Sequence, residues 1–183
     1  MNDMIDPLEI IKRYYPEGSN IYNILVTHSE CVRDKALSCI DHHPELKIDR
    51  QFVAEAAMLH DIGIFYTYAP PIGCMGTHLY IEHGILGAKL LRQLGYPRHA
   101  LVCERHTGTG LSKDYILRTA LPLPERDMIP ESLEEKLVCY ADKFFSKNRN
   151  LREEKPITLV RTKLGKFEDG SVERFDMMHK LFG

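Results

Sequence analysis

The side chains best suited to chemistry in this sequence are histidines and aspartates that interrupt otherwise apolar helical stripes. The six that do so are His28, His60, Asp61, His83, His106 and Asp142. His28 follows Ile24 by four residues and precedes Val32 by four, so its ring is predicted to face the core. A buried carboxylate without a partner is costly, whereas a metal ion neutralises carboxylates and binds neutral imidazoles. Together, these residues predict a buried metal site.

Each of these residues also has a simpler explanation when it is considered alone. A single histidine on an apolar helical face is most often a hydrogen-bonded core residue, and Asp142 alone could pair with an arginine. The combination favours the metal site, because the candidate ligands come from different predicted helices and include two carboxylates.

Apolar residues at three- and four-residue steps predict the helices that position these side chains. The predicted segments run from Asn20 to about Ile40, from the N-cap Asp49 to Gly63, from about His78 to Gly95, and from Pro97 to about His106.

Three further helices are predicted in the second half of the chain. A capping-box pattern at Ser132 and Glu135 opens the helix that contains Asp142, and the other two cover Ile157–Gly165 and Ser171–Phe182. Strand patterns are weak. The predicted fold class is therefore all-α, a helical bundle with the metal site between helices.

Two segments rich in proline and glycine, Phe65–Thr77 and Thr107–Glu131, interrupt the helical pattern. Long loops in a compact domain are often functional, although surface connections without a catalytic role are equally compatible with the sequence.

Length and net charge indicate how many domains the chain has and which kinds of partner it is suited to. A chain of 183 residues predicts a single domain over 1–183, with a core at about 20–147 and a C-terminal helical extension at 148–183. The formal net charge of −2 argues against a dedicated nucleic-acid surface.

No signal peptide and no apolar run long enough for a membrane helix is visible, which predicts a cytoplasmic protein. The five cysteines form no Cys-x-x-Cys pair and are predicted to be buried, reduced thiols.

The order of these residues resembles that of the HD-domain metal-dependent phosphohydrolases over roughly Asn20–Lys147. The residues that carry the resemblance are His28, then His60-Asp61-Ile62-Gly63 after Ala56-Ala57-Met58-Leu59, then Tyr140-Ala141-Asp142-Lys143. His83 and His106 stand where the binuclear members have two further ligands. The pattern is similar to the small bacterial HD hydrolases that cleave diadenosine tetraphosphate symmetrically.

The resemblance implies two divalent transition-metal ions. One would be held by His28, His60, Asp61 and Asp142, and Asp61 would bridge to a second held by His83 and His106. Nitrogen and oxygen ligands suit Fe, Mn, Zn, Co or Ni. Two such ions and a hydroxide bring the site to a charge near +1, which suits an anionic phosphate. Asp61 and His60 are the implied catalytic residues, and the implied reaction is attack of metal-activated hydroxide on phosphorus.

Five residues are candidates for substrate binding. Lys143 and Arg33 could supply cations, although either could equally be a solvent-facing charge, and Arg33 lies about 140° from His28 around their helix. Thr107 and Gly108 begin a turn whose backbone amides could hold a phosphate, but Gly108 departs from the second threonine usual in the dinucleoside tetraphosphate hydrolases. His78 could point into the same cleft. The predicted partner is a small phosphorylated substrate, a nucleotide, with no membrane involved.

Two alternatives remain open at this point. Some HD-fold proteins with six such ligands are di-iron oxygenases, and a metal-stabilised module could bind a nucleotide without turning it over.

Overall fold

The computed structural model describes residues 5–148 and 150–183, and helices dominate this part of the chain. The helices are α1 (Pro7–Lys12), α2 (Asn20–His42), α3 (Arg50–Leu59), α4 (His83–Gln93), α5 (Pro97–Arg105), α6 (Lys113–Arg118), α7 (Leu133–Asp142), α8 (Ile157–Leu164) and α9 (Ser171–Phe182). Two strands of two residues each, β1 (Tyr68–Ala69) and β2 (Cys74–Met75), form an antiparallel hairpin with Tyr68 opposite Met75. The predicted all-α class is confirmed.

Helix starts follow the capping residues that the sequence offers. The Ser19 hydroxyl accepts a hydrogen bond from the Tyr22 amide at the start of α2, and the Asp49 carboxylate accepts one from Phe52 at the start of α3. Ser132 caps α7 in the same way. These polar caps satisfy amide groups that have no partner within the helix, so they mark its first turn.

The predicted start of the third helix at His78 is wrong, because α4 begins only at His83. The backbone of His78 is engaged by the preceding loop instead. Its carbonyl accepts from the Tyr68 amide at 2.8 Å, and its own amide donates to the Tyr66 carbonyl at 3.1 Å. A single 3-10 turn, Tyr80–Glu82, then leads into α4.

Sequence periodicity also missed two short helices, α1 and α6. Each has six residues, and α6 lies inside the segment 107–131 that was predicted to be a loop. Helices of this length show less than two turns of periodicity, and most of their stability comes from packing. Ile116 of α6, for example, is buried with Leu111 and Met128.

The core consists of two large clusters that share α2 and α3. One cluster continues into α7, α8 and α9, and the other into α1, α4 and α5. The C-terminal helices belong to the first cluster through Val160, Leu164, Phe175, Met178 and Phe182. The extension therefore packs against the helices that carry the candidate ligands, whereas the predicted domain boundaries stay a prediction.

The 3-10 segment that follows α3, Ile62–Tyr66, and the start of α4 approach each other unusually closely at Gly63. A Cβ atom on Gly63 would lie 2.2 Å from the His83 carbonyl oxygen and 2.4 Å from the Gly87 amide nitrogen. Only a residue without a side chain fits between the two backbones. This contact brings the segment that carries Asp61 against the helix that carries His83.

Within the described residues, all five cysteines are unpaired, and four of them, Cys39, Cys74, Cys103 and Cys139, are buried. Burial raises the pKa of the Cys74 and Cys139 thiols to about 11. The prediction of reduced, buried thiols is confirmed for these four. No helix in this part of the chain is long and apolar enough to cross a membrane.

Candidate metal centre

The six predicted ligands converge in the interior, and most of them stand at the ends of helices. His28 lies within α2, His60 and Asp61 directly follow α3, His83 is the first residue of α4, His106 directly follows α5, and Asp142 is the last residue of α7. All six are buried, and Asp61 is completely inaccessible. The six candidate ligands thus come from five different helices or their ends, and they meet in one apolar interior.

We define the first ligand group as His28, His60, Asp61 and Asp142. The Nε2 atom of His28 lies 3.3 Å from Asp61 Oδ2 and 3.0 Å from Asp142 Oδ1. The Nε2 atom of His60 lies 3.0 Å from the same Asp61 oxygen and 3.4 Å from the same Asp142 oxygen. One candidate ligand atom from each residue falls within 4.8 Å of all the others.

We define the second ligand group as Asp61, His83 and His106. Asp61 Oδ1 lies 3.4 Å from His83 Nε2 and 3.3 Å from His106 Nε2. The two imidazole Nε2 atoms are 3.0 Å apart. Asp61 therefore turns one carboxylate oxygen to each group.

Three of the four imidazole rings are oriented by hydrogen bonds on the side away from the carboxylates. Nδ1 lies 2.6 Å from a backbone carbonyl oxygen in His60 and His83, and 2.7 Å in His106; each time it is the carbonyl three residues earlier. A carbonyl oxygen can only accept, so Nδ1 must carry the proton. In the neutral ring, Nε2 is then left with a lone pair, which is the arrangement of metal-binding histidines.

The Nε2 atoms of His83 and His106 are 3.0 Å apart, with their lone pairs facing each other. These lone pairs repel unless a proton or a cation lies between them. Among the described residues, His60 Nε2 and Asp61 Oδ1 are buried without a hydrogen-bond partner. With ligand distances of about 2.1 Å, adjacent ligands are about 3.0 Å apart in octahedral and about 3.4 Å apart in tetrahedral coordination. The observed spacings match these values, so the buried histidines and aspartates fit divalent metal.

Burial and neighbouring charge act in opposite directions on the histidines. Burial, helped by the neighbouring His106, lowers the pKa of His83 to about 3, and burial also lowers the pKa of His106. Burial lowers the pKa of His60 as well, but Asp61 and Asp142 outweigh it and raise that pKa to about 9. The two histidines of the second ligand group are thus neutral at pH 7, as metal ligation requires.

Two lysines hold the carboxylates in their ionised form. Lys147 Nζ lies 2.6 Å from Asp61 Oδ2, and Lys143 Nζ lies 2.6 Å from Asp142 Oδ2. Burial alone would raise the pKa of both aspartates, but His60 and Lys147 hold the pKa of Asp61 well below its usual value. Lys143, with His28, does the same for Asp142.

The sequence-based prediction named Lys143 but missed Lys147. Lys147 lies five residues beyond the end of α7, in irregular chain, so no helical period relates it to Asp142. Its only signal was a position within a few residues of a predicted ligand. Lys143 also donates to the His106 carbonyl at 2.9 Å, which ties α7 to the end of α5.

The structure directs Arg33 and His78 away from the ligand groups. Arg33 Nε donates to the Asp34 carboxylate at 2.8 Å, and its Nη1 lies 3.8 Å from Met58 Sδ. The cause is the angle of about 140° that separates positions 28 and 33 on a helix. His78 is half-exposed, and its Nδ1 lies 3.1 Å from Glu82 Oε1.

Thr107 and Gly108 directly follow the predicted ligand His106. The Thr107 carbonyl accepts from the Gly110 amide at 3.0 Å, which closes the predicted turn. Gly108 has a φ of +60°, and a Cβ atom there would lie 2.8 Å from the ring of Phe167. One side of the turn is therefore covered by the C-terminal extension, and its role in phosphate binding stays a prediction.

A cleft of about 430 Å³ opens at the edge of the centre. It is lined by Ala69, Pro71, Ile72, Tyr80, Asp142, Lys143, Phe145, Ser146, Lys147, Asn148, Lys155, Val160, Lys163 and Leu164. The segment 65–77 and the C-terminal extension thus both contribute to its wall. A small molecule that enters the cleft meets Asp142 and four lysines.

The chain is similar in sequence to several known proteins. The chain is 32% identical over 160 residues to an uncharacterized protein of Methanocaldococcus jannaschii, covering 87% of this chain and 85% of that protein. It is 33% identical over 134 residues to a tRNA (cytidine(56)-2'-O)-methyltransferase of Picrophilus torridus, covering 73% of this chain and 35% of the relative. It is 28% identical over 168 residues to the enzyme of the same name from Thermoplasma volcanium, covering 91% of this chain and 44% of the relative. No solved structure matches the chain significantly.

The HD domain family matches residues 25–146, a range that contains all six candidate ligands. This match covers well over half of the chain and agrees with the order in which the ligands occur. The chain belongs to the HD domain family.

Proposed function

We propose that this protein is a metal-dependent phosphohydrolase that acts on a nucleotide or another small phosphate ester or anhydride. The observation that supports the proposal is the shared position of Asp61. Its two carboxylate oxygens face two different pairs of imidazoles, at distances of 3.0 to 3.4 Å, beside a lysine-lined cleft.

In this proposal the first and second ligand groups each hold one divalent ion, and Asp61 is shared between them. Iron, manganese, zinc, cobalt and nickel all suit ligands of this kind. Divalent ions held there supply an activated water near neutral pH and neutralise charge on the phosphoryl group.

Side chains of the protein itself would position the substrate and compensate its charge. Phosphoryl transfer needs mainly the positioning of the reacting groups and compensation of the charge that develops. Lys147 and Lys143 are fixed at the edge of the centre by Asp61 and Asp142, so their ammonium groups can donate to phosphoryl oxygens. The Tyr80 ring stacks on His83 with ring centroids 4.8 Å apart and so covers one face of that imidazole.

The methyltransferase activity named for two relatives is not part of the proposal. This chain covers only 35% and 44% of those proteins, which extend well beyond the matched part. The name of each relative describes the activity of the whole protein and not of the matched part. The buried histidines and aspartates in this chain have the chemistry of a metal centre.

The proposal is tested by phosphate release from nucleoside monophosphates, diphosphates, triphosphates and diadenosine tetraphosphate. Metal-loaded protein is compared with metal-depleted protein, with Asp142→Asn, and with Asp169→Asn as the matched control, because Asp169 is exposed. We expect hydrolysis that requires metal and is lost in Asp142→Asn alone. Oxygen consumption without phosphate release would instead indicate an oxygenase, and nucleotide binding without turnover would indicate a binding module. Either result would overturn the proposal.

A further inference from the structure

Four lysines, Lys143, Lys147, Lys155 and Lys163, line the cleft beside the metal centre. Two of them come from the segment that follows α7, and the other two from the C-terminal extension. Asp142 lies in the same cleft wall, in contact with Lys143, and Asp61 contacts Lys147. These four ammonium groups and two carboxylates together carry a formal charge of +2 before any metal is bound.

The lysines fall into two pairs with different partners. Lys143 and Lys147 each contact an aspartate of the ligand groups at 2.6 Å. Lys155 and Lys163 have no carboxylate within ion-pair distance among residues 5–148 and 150–183.

Lys155 is held in the cleft in spite of an electrostatic cost. Its backbone amide donates to the Phe144 carbonyl at 2.8 Å, which anchors this part of the extension to the end of α7. Burial lowers the pKa of its ammonium group to about 8; Asp142 opposes this shift, and the nearby Lys163, Lys143 and Lys147 add to it. The cost of holding these charges together would be offset by an anionic ligand.

We infer that Lys155 and Lys163 form a second anion subsite, adjacent to the metal centre, and that the substrate carries at least one phosphate group beyond the one that is hydrolysed. This inference rests on the proposed phosphohydrolase function. It narrows the substrate to compounds with two or more phosphates, such as nucleoside diphosphates, triphosphates and dinucleoside polyphosphates.

The charge balance supports this substrate class over a monophosphate. A phosphate monoester carries a charge of about −2 at neutral pH and would be neutralised by a single divalent ion, with the lysines left uncompensated. Each further phosphate adds negative charge where Lys155 and Lys163 stand.

The dimensions of the cleft favour a small molecule over RNA. Its volume of about 430 Å³ lies within the usual range of small-ligand sites. Four lysines line this cleft, while the chain as a whole has a formal charge of −2. Binding along a nucleic-acid strand requires a more extended basic surface.

Equilibrium binding of two probes separates this inference from the proposed activity. Metal-loaded protein is titrated with methylenediphosphonate, which carries two linked phosphonate groups, and with inorganic phosphate. The variant is the pair of changes Lys155→Gln and Lys163→Gln. The matched control is the pair Lys89→Gln and Lys180→Gln, which removes the same charge from exposed positions outside the cleft. Metal content is measured in every sample after the titration.

We expect the cleft variant to bind methylenediphosphonate roughly tenfold more weakly than wild type, while phosphate binding changes less than about twofold. The control variant should match wild type with both probes. Unchanged methylenediphosphonate binding in the cleft variant, or an equal loss for both probes, would overturn the inference. Tight binding of a short single-stranded RNA that disappears in the cleft variant, with methylenediphosphonate binding intact, would also overturn it.

The two proposals fail in different ways. If the metal-loaded protein releases no phosphate from any substrate but shows the expected loss of methylenediphosphonate binding, the proposed function fails and the anion subsite stands. If phosphate is released but the two probes behave alike in all variants, the subsite fails and the proposed function stands.

Discussion

Replacing Asp61 by asparagine is the most direct test of the metal centre, because both ligand groups depend on this residue. The substitution preserves size and removes one negative charge. The first ligand group still contains the carboxylate of Asp142, but the second retains only the imidazoles of His83 and His106 as charged or basic ligands. We therefore expect Asp61→Asn to bind fewer ions per chain, and the second group to lose its ion first.

The size of the effect can be estimated from linkage between binding and folding. Loss of a partner that merely orients a ligand weakens metal binding by about 10- to 100-fold, so about 100-fold is a conservative figure for loss of a ligand charge. At a metal concentration of about 100 times the wild-type Kd, binding stabilises wild type by about 2.7 kcal/mol and the variant by about 0.4 kcal/mol. For a chain of this size, the difference lowers the metal-induced rise in Tm by roughly 5 to 9 °C.

The assay is the difference in Tm between metal-loaded and chelator-treated protein, measured by circular dichroism, together with metal content per chain. The difference is needed because Asp61→Asn also leaves the Lys147 ammonium group, 2.6 Å from Asp61 Oδ2, without its carboxylate in the metal-free protein. Asp169→Asn is again the matched control, since Asp169 is 92% exposed and only weakly paired.

A variant that keeps the wild-type number of ions per chain and the full metal-induced rise in Tm would refute the assignment of Asp61 as a shared ligand. An equal loss in Asp169→Asn would show that the effect arises from net charge and not from the centre.

Three further predictions concern the second ligand group, the close helix contact and the cleft. His83→Ala should lower the metal content by about one ion per chain, because it removes one of only two imidazoles in its group; unchanged stoichiometry in elemental analysis would contradict this. Gly63→Ala should lower the free energy of unfolding by roughly 3 kcal/mol, because its Cβ would lie 2.2 Å from the His83 carbonyl oxygen. Gly165→Ala, whose nearest contact would be 3.5 Å, should cost less than about 1 kcal/mol in the same urea denaturation. Lys155→Met should stabilise metal-free protein at pH 7, because the folded-state pKa of about 8 lies below the ordinary 10.5 and the folded state therefore disfavours the charge. Wild type recovers this stability as the pH rises from about 8 to 10.5, so the stability advantage of the variant should be smaller at pH 9.5 than at pH 7. An equal advantage at both pH values would contradict the lowered pKa of Lys155.

The sequence by itself determined the fold class and the chemical type of the centre. The 3.6-residue period shows which face of each long helix is buried, and a histidine or aspartate on such a face needs a partner in the interior. His28, His60, Asp61 and Asp142 could be found in this way, and the family resemblance supplied the grouping of the ligands. Capping residues such as Ser19 and Asp49 placed the starts of α2 and α3.

The start of α4 and the two six-residue helices were beyond this kind of reasoning. Backbone hydrogen bonds to the hairpin segment hold His78 outside the helix, and such contacts between distant residues leave no local pattern. Short helices are stabilised mainly by what they pack against, so their sequences carry little periodicity of their own.

Only the tertiary structure decided which groups surround the ligands. Irregular chain beyond α7 brings Lys147 to Asp61, and the packing of α8 and α9 on the first core cluster brings Lys155 and Lys163 to the cleft. The packing of α2, α3, α4 and α5 directs each oxygen of Asp61 toward a different pair of imidazoles. The physical reason is that a sequence pattern reports which side of an element is buried, whereas the partner of a buried charge depends on how separate elements meet.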